Sequence, residues 1–327
     1  MFTFILSEHY LIENYLGRMN THISIKGMEA YGSSYFNSFV ALYSLMAYQT
    51  ELISKLYPSS EIDNIKGYQC KILTKCAHSF HTLYSVIVDE HDYYAAGTII
   101  RMLTDNLASY NLIYHEKDVT LKHLRHYLFI LDGLAQRKKL LGNHEMKYDG
   151  NISKVEYDAL EKQVRAAKEN ALGAMEFCKK AIRHLPILES QKDAVEVLID
   201  KQNWQFIDVA KSKGHYKWEQ LYGMLSDKKA FTDMTVYLSQ FVHGLSLSNL
   251  TMDNTPTEFE SLVGFGINLI GYALKFIGND FGLSRYDLYK DFTSSPYFNI
   301  YYAASSEEEK KKFYERIANG IKQERVK

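Results

Sequence analysis

Arg101 and Asp105 stand four residues apart in an otherwise apolar run, with Ile99, Ile100, Met102 and Leu103 around the guanidinium. At that spacing the two side chains share one face of a helix and can pair. Pairing matters here, because a buried charge without a partner is costly. Ser239 and His243 form a second polar pair at the same spacing, just after Tyr237, with Phe241 and Val242 beside the imidazole. His243 is therefore expected to point into or along the core. These five residues are the candidate site: Arg101 and His243 for catalysis, Asp105, Tyr237 and Ser239 for binding a ligand. If Arg101 and His243 met across two helices, metal-independent cleavage of RNA would be within their chemistry. The imidazole would act as general base on a ribose hydroxyl, and the guanidinium would stabilise the developing phosphorane charge. The quieter alternative is a polar network that sets helix register or lines a small-ligand pocket.

Two further histidine pairs occur at i,i+3, His78 with His81 and His123 with His126. Each pair shares a helix face, but a zinc site needs at least one more ligand, so both read as ordinary helix histidines. A basic stretch runs over Lys117, Lys122, Arg125, Arg137, Lys138 and Lys139, with His123 and His126 inside it. Such a stretch could meet RNA phosphates, yet the solvated face of any amphipathic helix looks the same. There is no phosphate-cradling Gly-x-x-x-x-Gly-Lys, no Gly-x-Gly-x-x-Gly and no Gly-x-Ser-x-Gly. Cys70, Cys76 and Cys178 lack Cys-x-x-Cys spacing and read as buried thiols. No metal or cofactor is called for.

The elements that must position these residues are helices. Apolar residues recur three and four apart from Ser33 to Tyr57, and Pro58 ends that helix. Ser60 and Asp63 open the next, which the polar cluster 89–92 interrupts near Val88. A helix over Tyr93–Tyr114 carries Arg101, and Asp118 caps another over Val119–Leu141. Gly142 to Asn151 reads as a loop. Ser153 with Glu156 is a capping box, and no breaker follows until Pro186, so a helix of about 30 residues is expected. Shorter helices with a loop at Ser212, Lys213 and Gly214 lead to a helix over Lys228–Leu250 that carries Ser239 and His243. Thr255, Pro256 and Glu258 start a helix reaching Phe276. On it Gly264, Gly271 and Gly278 fall seven apart, which predicts close approach of a neighbouring backbone. Ser306 and Glu309 cap a last amphipathic helix over about 306–325, with Glu307–Lys311 and Glu308–Lys312 as i,i+4 pairs.

Period-two alternation and internal repeats are both absent, so the fold class is all-α, a multi-helix up-down array with one or two helices of about 25–30 residues. The 327 residues read as a single helical domain with its core over 33–280. With 38 basic and 39 acidic side chains the formal net charge is −1, which provides no global field to gather nucleic acid or anionic membrane. Three cysteines exclude a disulfide framework, and four prolines with 18 glycines exclude collagen-like and turn-rich β chains. The N-terminus lacks the basic region of a signal peptide. The most membrane-like stretch, Leu262 to Gly278, contains Asn268, Lys275 and four glycines and reads as a buried helix. A cytoplasmic location without membrane association is expected.

The run Ile99-Ile100-Arg101 with Asp105 resembles the central helix of an uncharacterised bacterial all-α family of unknown function. Trp204, Tyr222 and the pattern Tyr237-x-x-Ser239-x-x-x-His243-Gly244 resemble the same family's C-terminal signature, and the likeness covers roughly residues 35 to 280. It implies a helical architecture and assigns no activity. Members more often carry Glu after the Arg, where this chain has Asp105 and Asn106. More distantly the chain is similar to HEPN-type helical ribonucleases of defence and toxin systems, which place Arg and His on one helix four to six residues apart. Its nearest literal match, Arg137 to His144, is broken by Gly142 and Asn143. The leading expectation is a non-catalytic helical protein whose Arg/Asp/Ser/His cluster is structural or lines a small-ligand pocket. A HEPN-like ribonuclease would bring RNA as partner and a homo-oligomer with a basic cleft. A scaffold would instead bind partners through exposed apolar faces.

Overall fold

The computed structural model describes residues 34–59, 61–90, 92–142, 147–186, 188–243, 256–282, 291–305, 307–308 and 310–315. Among these the fold is all-α. The helices are α1 (Ser34–Leu56), α2 (Ile65–Ser85), α3 (Tyr93–Tyr114), α4 (Val119–Gly142), α5 (Lys154–Arg183), α6 (Leu188–Lys201), α7 (Trp218–Leu225), α8 (Lys229–Val242), α9 (Pro256–Asp280) and α10 (Pro296–Ala304). A π-helical turn over Val86–Glu90 follows α2, and short 3-10 turns occupy Val209–Lys211 and Phe292–Ser294. No strand occurs among the described residues. One isolated antiparallel bridge pairs Phe206 with His215.

Local signals set the starts of three of these helices. Asp92 Oδ1 accepts from Ala95 N at 2.9 Å at the head of α3. Asp118 Oδ1 accepts from Thr120 N and Leu121 N at 2.7 and 3.0 Å at the head of α4. Ser153 and Glu156 form the complete capping box of α5, with Glu156 Oε2 accepting from Ser153 N at 3.0 Å. Each such cap satisfies amide donors that the first helical turn leaves without carbonyl partners.

The contacts divide the chain into two compact units. The first comprises the described parts of Met1–Ser60, Lys66–Leu107 and Leu225–Lys327; the second comprises Glu61–Ile65 and the described parts of Ala108–Met224. In the first unit α1 packs on α9 and α10. Its core includes Phe39, Met46, Phe80, Leu103, Leu269 and Phe276, and it extends beyond residue 280 to Phe292 and Phe313, both essentially without solvent contact. Buried aromatic side chains of this size each contribute on the order of 1.5–3 kcal/mol relative to exposure. In the second unit α4 lies along α5, and α6 packs on the 3-10 turn at Val209. Only the C-terminal half of α5 buries side chains there: Ala171, Met175, Cys178 and Ile182.

Several expectations need correction. Cβ atoms built at Gly264 and Gly271 would meet nothing within 4 Å, so neither position receives a neighbouring backbone. The close approach on α9 is at Gly266 instead, where a Cβ would lie 3.0 Å from the Phe39 ring. Helix α8 ends at Val242 rather than continuing, and 244–250 lie outside the described residues. So do Ser60, Thr255, Ser306 and Glu309, the expected caps. Glu308 pairs with Lys312 at 2.6 Å, but Glu307 pairs with Lys310, three residues on, at 2.7 Å.

Candidate functional site

Arg101 pairs with Asp105 along α3, and the Arg101 side chain is 13% exposed against 33% for Asp105. The partners expected from their spacing are thus joined within one helix. The other helix behaves differently. Ser239 Oγ donates to Val236 O at 2.5 Å, so this hydroxyl is engaged by its own helix. The Tyr237 ring packs on Phe241 at 5.2 Å, and its hydroxyl hydrogen-bonds that of Tyr93. Burial, then Tyr237, raise the Tyr93 phenol above its ordinary range. His243 does not enter the core: it is exposed at the C-cap of α8, its backbone N–H bonded to Ser239 O. The helix ends there, so the imidazole leaves the apolar face that carries Leu238 and Phe241 inward.

Helices α3 and α8 meet where Tyr93 and Tyr94 pack on Phe241 and at Gly97, where a Cβ would lie 3.2 Å from Leu238 and 3.7 Å from the Phe241 ring. Arg101 is held by Asp105 within α3, and His243 is exposed at the end of α8.

The histidine pairs and the basic stretch are likewise divided by burial. His78 is exposed, while His81 stacks on Tyr43 at 6.1 Å. His123 Nδ1 bonds Val119 O at 2.6 Å. His126 is fully buried, with Nε2 2.7 Å from Ile62 O and Nδ1 3.0 Å from the Tyr114 hydroxyl. A carbonyl can only accept, so Nε2 carries the proton and Nδ1 accepts from Tyr114. Burial, helped by His123 and opposed by the Ile62 bond and Asp63, pushes the imidazole down to about 4. With both nitrogens engaged His126 has no lone pair to offer a metal. No group of three His, Cys, Asp or Glu capable of holding one occurs among the described residues.

Arg125, in the same basic stretch, also faces inward, and it organises the polar centre of the second unit. Its Nη1 donates to Trp204 O at 3.1 Å and to Phe206 O at 2.9 Å. Its guanidinium lies 4.0 Å from the Phe206 ring centroid, and Glu116 Oε2 is 3.8 Å from Nε. Burial pulls the guanidinium pKa down against the pull of Glu116 and Tyr216, but arginine stays charged in proteins. The clamp holds the turn at Trp204 and Gln205 and the bridge residue Phe206, with Tyr216 N donating to Gln205 O at 2.8 Å and Phe206 bridged to His215. Trp204 and Phe206 are buried, whereas Gln205 faces a cavity.

That cavity, about 420 Å³, is lined by Asp132, Lys201, Gln202, Asn203, Trp204, Gln205, Lys213 and His215. Its rim is built by the end of α6. Gln202 N bonds Ile199 O and Asn203 N bonds Leu198 O, a Schellman closure in which Gln202 takes φ 51° where glycine is usual. The Gln202 amide compensates by donating to Ile199 O and Asp200 O. Asn203 Nδ2 donates to Ser212 O and Gly214 O at 3.2 and 3.1 Å, tying the loop that presents Lys213 and His215 to the same rim. Gln205 Nε2 is buried and has no hydrogen-bond partner among the described residues. A buried donor left unmade costs about 1–3 kcal/mol.

None of the five residues singled out from sequence lines this cavity. Those that do were missed, because lysines, amides and a loop histidine carry no spacing signature. The available hint was the run of Gln202, Asn203, Trp204 and Gln205, amide side chains around a tryptophan between two helices. No protein-family model, curated protein or solved structure matches the chain.

Proposed function

We propose that this protein is a non-catalytic, small-ligand-binding helical protein, and that the ligand enters the cavity of the second unit rather than the Arg101 region. The observation carrying this reading is a cavity of about 420 Å³ whose lining gathers a tryptophan with charged and amide side chains from three segments of the chain. That volume falls within the range of small-molecule pockets, which typically combine an apolar wall with a few convergent polar groups. Trp204 supplies the wall, and Asp132, Lys201, Lys213 and His215 supply the polar groups. Arg125 and Asn203 support them by fixing the backbone segments on which they sit. In this reading Arg101 and Asp105 set helix register in the first unit, consistent with their pairing inside α3.

The test uses the chain's two tryptophans, Trp204 and Trp218, whose rings are 6.2 Å apart in the second unit. Their fluorescence is followed while a panel of small polar metabolites is titrated into the parent and into Asp132→Tyr, which fills the cavity from α4. Saturable changes in the parent that disappear in the filled variant are expected. A panel that leaves the parent unchanged, or hits that survive in Asp132→Tyr, would overturn the reading.

A further inference from the structure

We propose that the solvent-surrounded half of α5, together with the end of α4, docks on an anionic lipid bilayer. The surface is independent of the cavity and lies elsewhere in the second unit. Helix α4 does not cover all of α5. Burial, then Asp63 and Cys178, raise the Tyr127 phenol, which places Tyr127 of α4 beside Cys178 of α5. At the other end of α4 a Cβ on Gly142 would lie 3.8 Å from Lys168 Nζ. The two helices therefore run antiparallel, and α4 ends near Lys168. Helix α5 begins at Lys154, so roughly 15 Å of it continues past that end. No side chain from Lys154 to Asn170 is buried.

Large apolar side chains are concentrated on this hairpin. Val155 is 80% exposed and Leu140 70%, and Tyr148, Ile152 and Leu160 are exposed between or beside them in the chain. Single exposed apolar residues are ordinary, whereas a group of them marks a contact surface. The formal net charge of −1 is also unevenly spread. Arg137, Lys138 and Lys139 stand at the end of α4, and Lys162, Arg165 and Lys168 stand where α5 meets or passes it. None of these cations has an ion-pair partner among the described residues. Most nearby carboxylates are engaged: Asp149 by Asn151, Glu156 by Ser153 and Asp158 by Lys154. Only Glu161 and Glu169 stand against the cations. Binding at a bilayer surface draws on both contributions, apolar side chains that enter the headgroup boundary and cations that attract anionic lipid. Nucleic acid would engage the cations and leave Val155 and Leu140 without a role.

The full chain is sedimented with vesicles of equal parts phosphatidylcholine and phosphatidylglycerol, and with vesicles of phosphatidylcholine alone. Binding to the anionic vesicles is expected to be at least about tenfold tighter than to the neutral ones and to weaken as salt is raised. Lys138→Gln combined with Lys139→Gln should weaken it roughly thirtyfold, as loss of two surface cations would. Val155→Ser removes the most exposed aliphatic side chain of the hairpin and should weaken it about fivefold. Val119→Ser, at an equally open position at the start of α4, is the unaffected control. All four substituted positions are exposed, and circular dichroism checks that each variant keeps its helices. Absence of vesicle binding overturns the proposal, as does equal binding to both vesicle types or binding that survives both the lysine variant and Val155→Ser. Fluorescence anisotropy on a labelled single-stranded RNA provides the other arm. RNA binding that falls in the lysine variant and ignores Val155→Ser, without vesicle binding, would assign the cations to nucleic acid and overturn the lipid surface.

Discussion

Acidification from pH 7 to pH 5 is expected to destabilise the second unit by about 2 kcal/mol through His126 alone. Burial holds this imidazole at about 4 in the folded chain, against about 6.5 when unfolded. The neutral form is the one that donates to Ile62 O and accepts from Tyr114. Its folded pKa is depressed, so the contribution is complete above about 6.5 and is lost as the pH falls towards and through about 4. At pH 5 most of the unfolded but little of the folded population carries the proton, and linkage gives about 2 kcal/mol. Carboxylates held low by hydrogen bonds, such as Glu156 and Glu196, protonate below this window and add little to it. The assay is urea unfolding at the two pH values, followed by tryptophan fluorescence. Both tryptophans belong to the same unit as His126, so the signal reports on that unit. In His126→Gln, which cannot titrate, the pH 7 stability is lower but the acid loss attributable to this site disappears. Identical acid losses in the parent and in His126→Gln would refute the reasoning.

The two glycines of α9 are expected to respond in opposite directions. Gly271→Ala places a methyl where nothing lies within 4 Å and should stabilise by about 0.5–1 kcal/mol through helix propensity. Gly266→Ala places one 3.0 Å from the Phe39 ring and should cost about 1–2 kcal/mol after the same gain, both read by thermal unfolding. Arg101→Met leaves Asp105 half-buried without its helix partner and is expected to cost about 1–3 kcal/mol, between the values for exposed and buried pairs; a loss below 0.5 kcal/mol in chemical denaturation would remove its structural role. His243→Ala changes an exposed side chain, so its effect should stay within about 0.5 kcal/mol, or roughly 2 °C in Tm; a fall beyond about 5 °C would mean that the imidazole is engaged after all.

Short-range information determined the helices. The capping box at Ser153, the Asp118 cap and the three-and-four periodicity that yields α1, α3 and α4 act within one or two turns, so they can be read without knowing the fold. The Arg101–Asp105 pair is legible for the same reason, since one helix sets both ends of the interaction. Burial is different, because it depends on which residues from distant segments arrive at the same place. Arg125 and His126 look like part of a solvated basic stretch, yet Trp204, Phe206 and Ile62 come from far along the chain to take their hydrogen bonds. His243 looks inward-facing by its apolar neighbours, yet α8 ends there and leaves it exposed. Likewise the glycine spacing on α9 was visible, but the arrival of Phe39 at Gly266 was not. The cavity is the extreme case: Asp132, Gln205 and Lys213 have no common pattern until the Arg125 clamp and the Asn203 tether bring their three segments to one place. Local hydrogen bonding is written in the order of residues, whereas desolvation and convergence are properties of the packed chain, and only tertiary structure decides them.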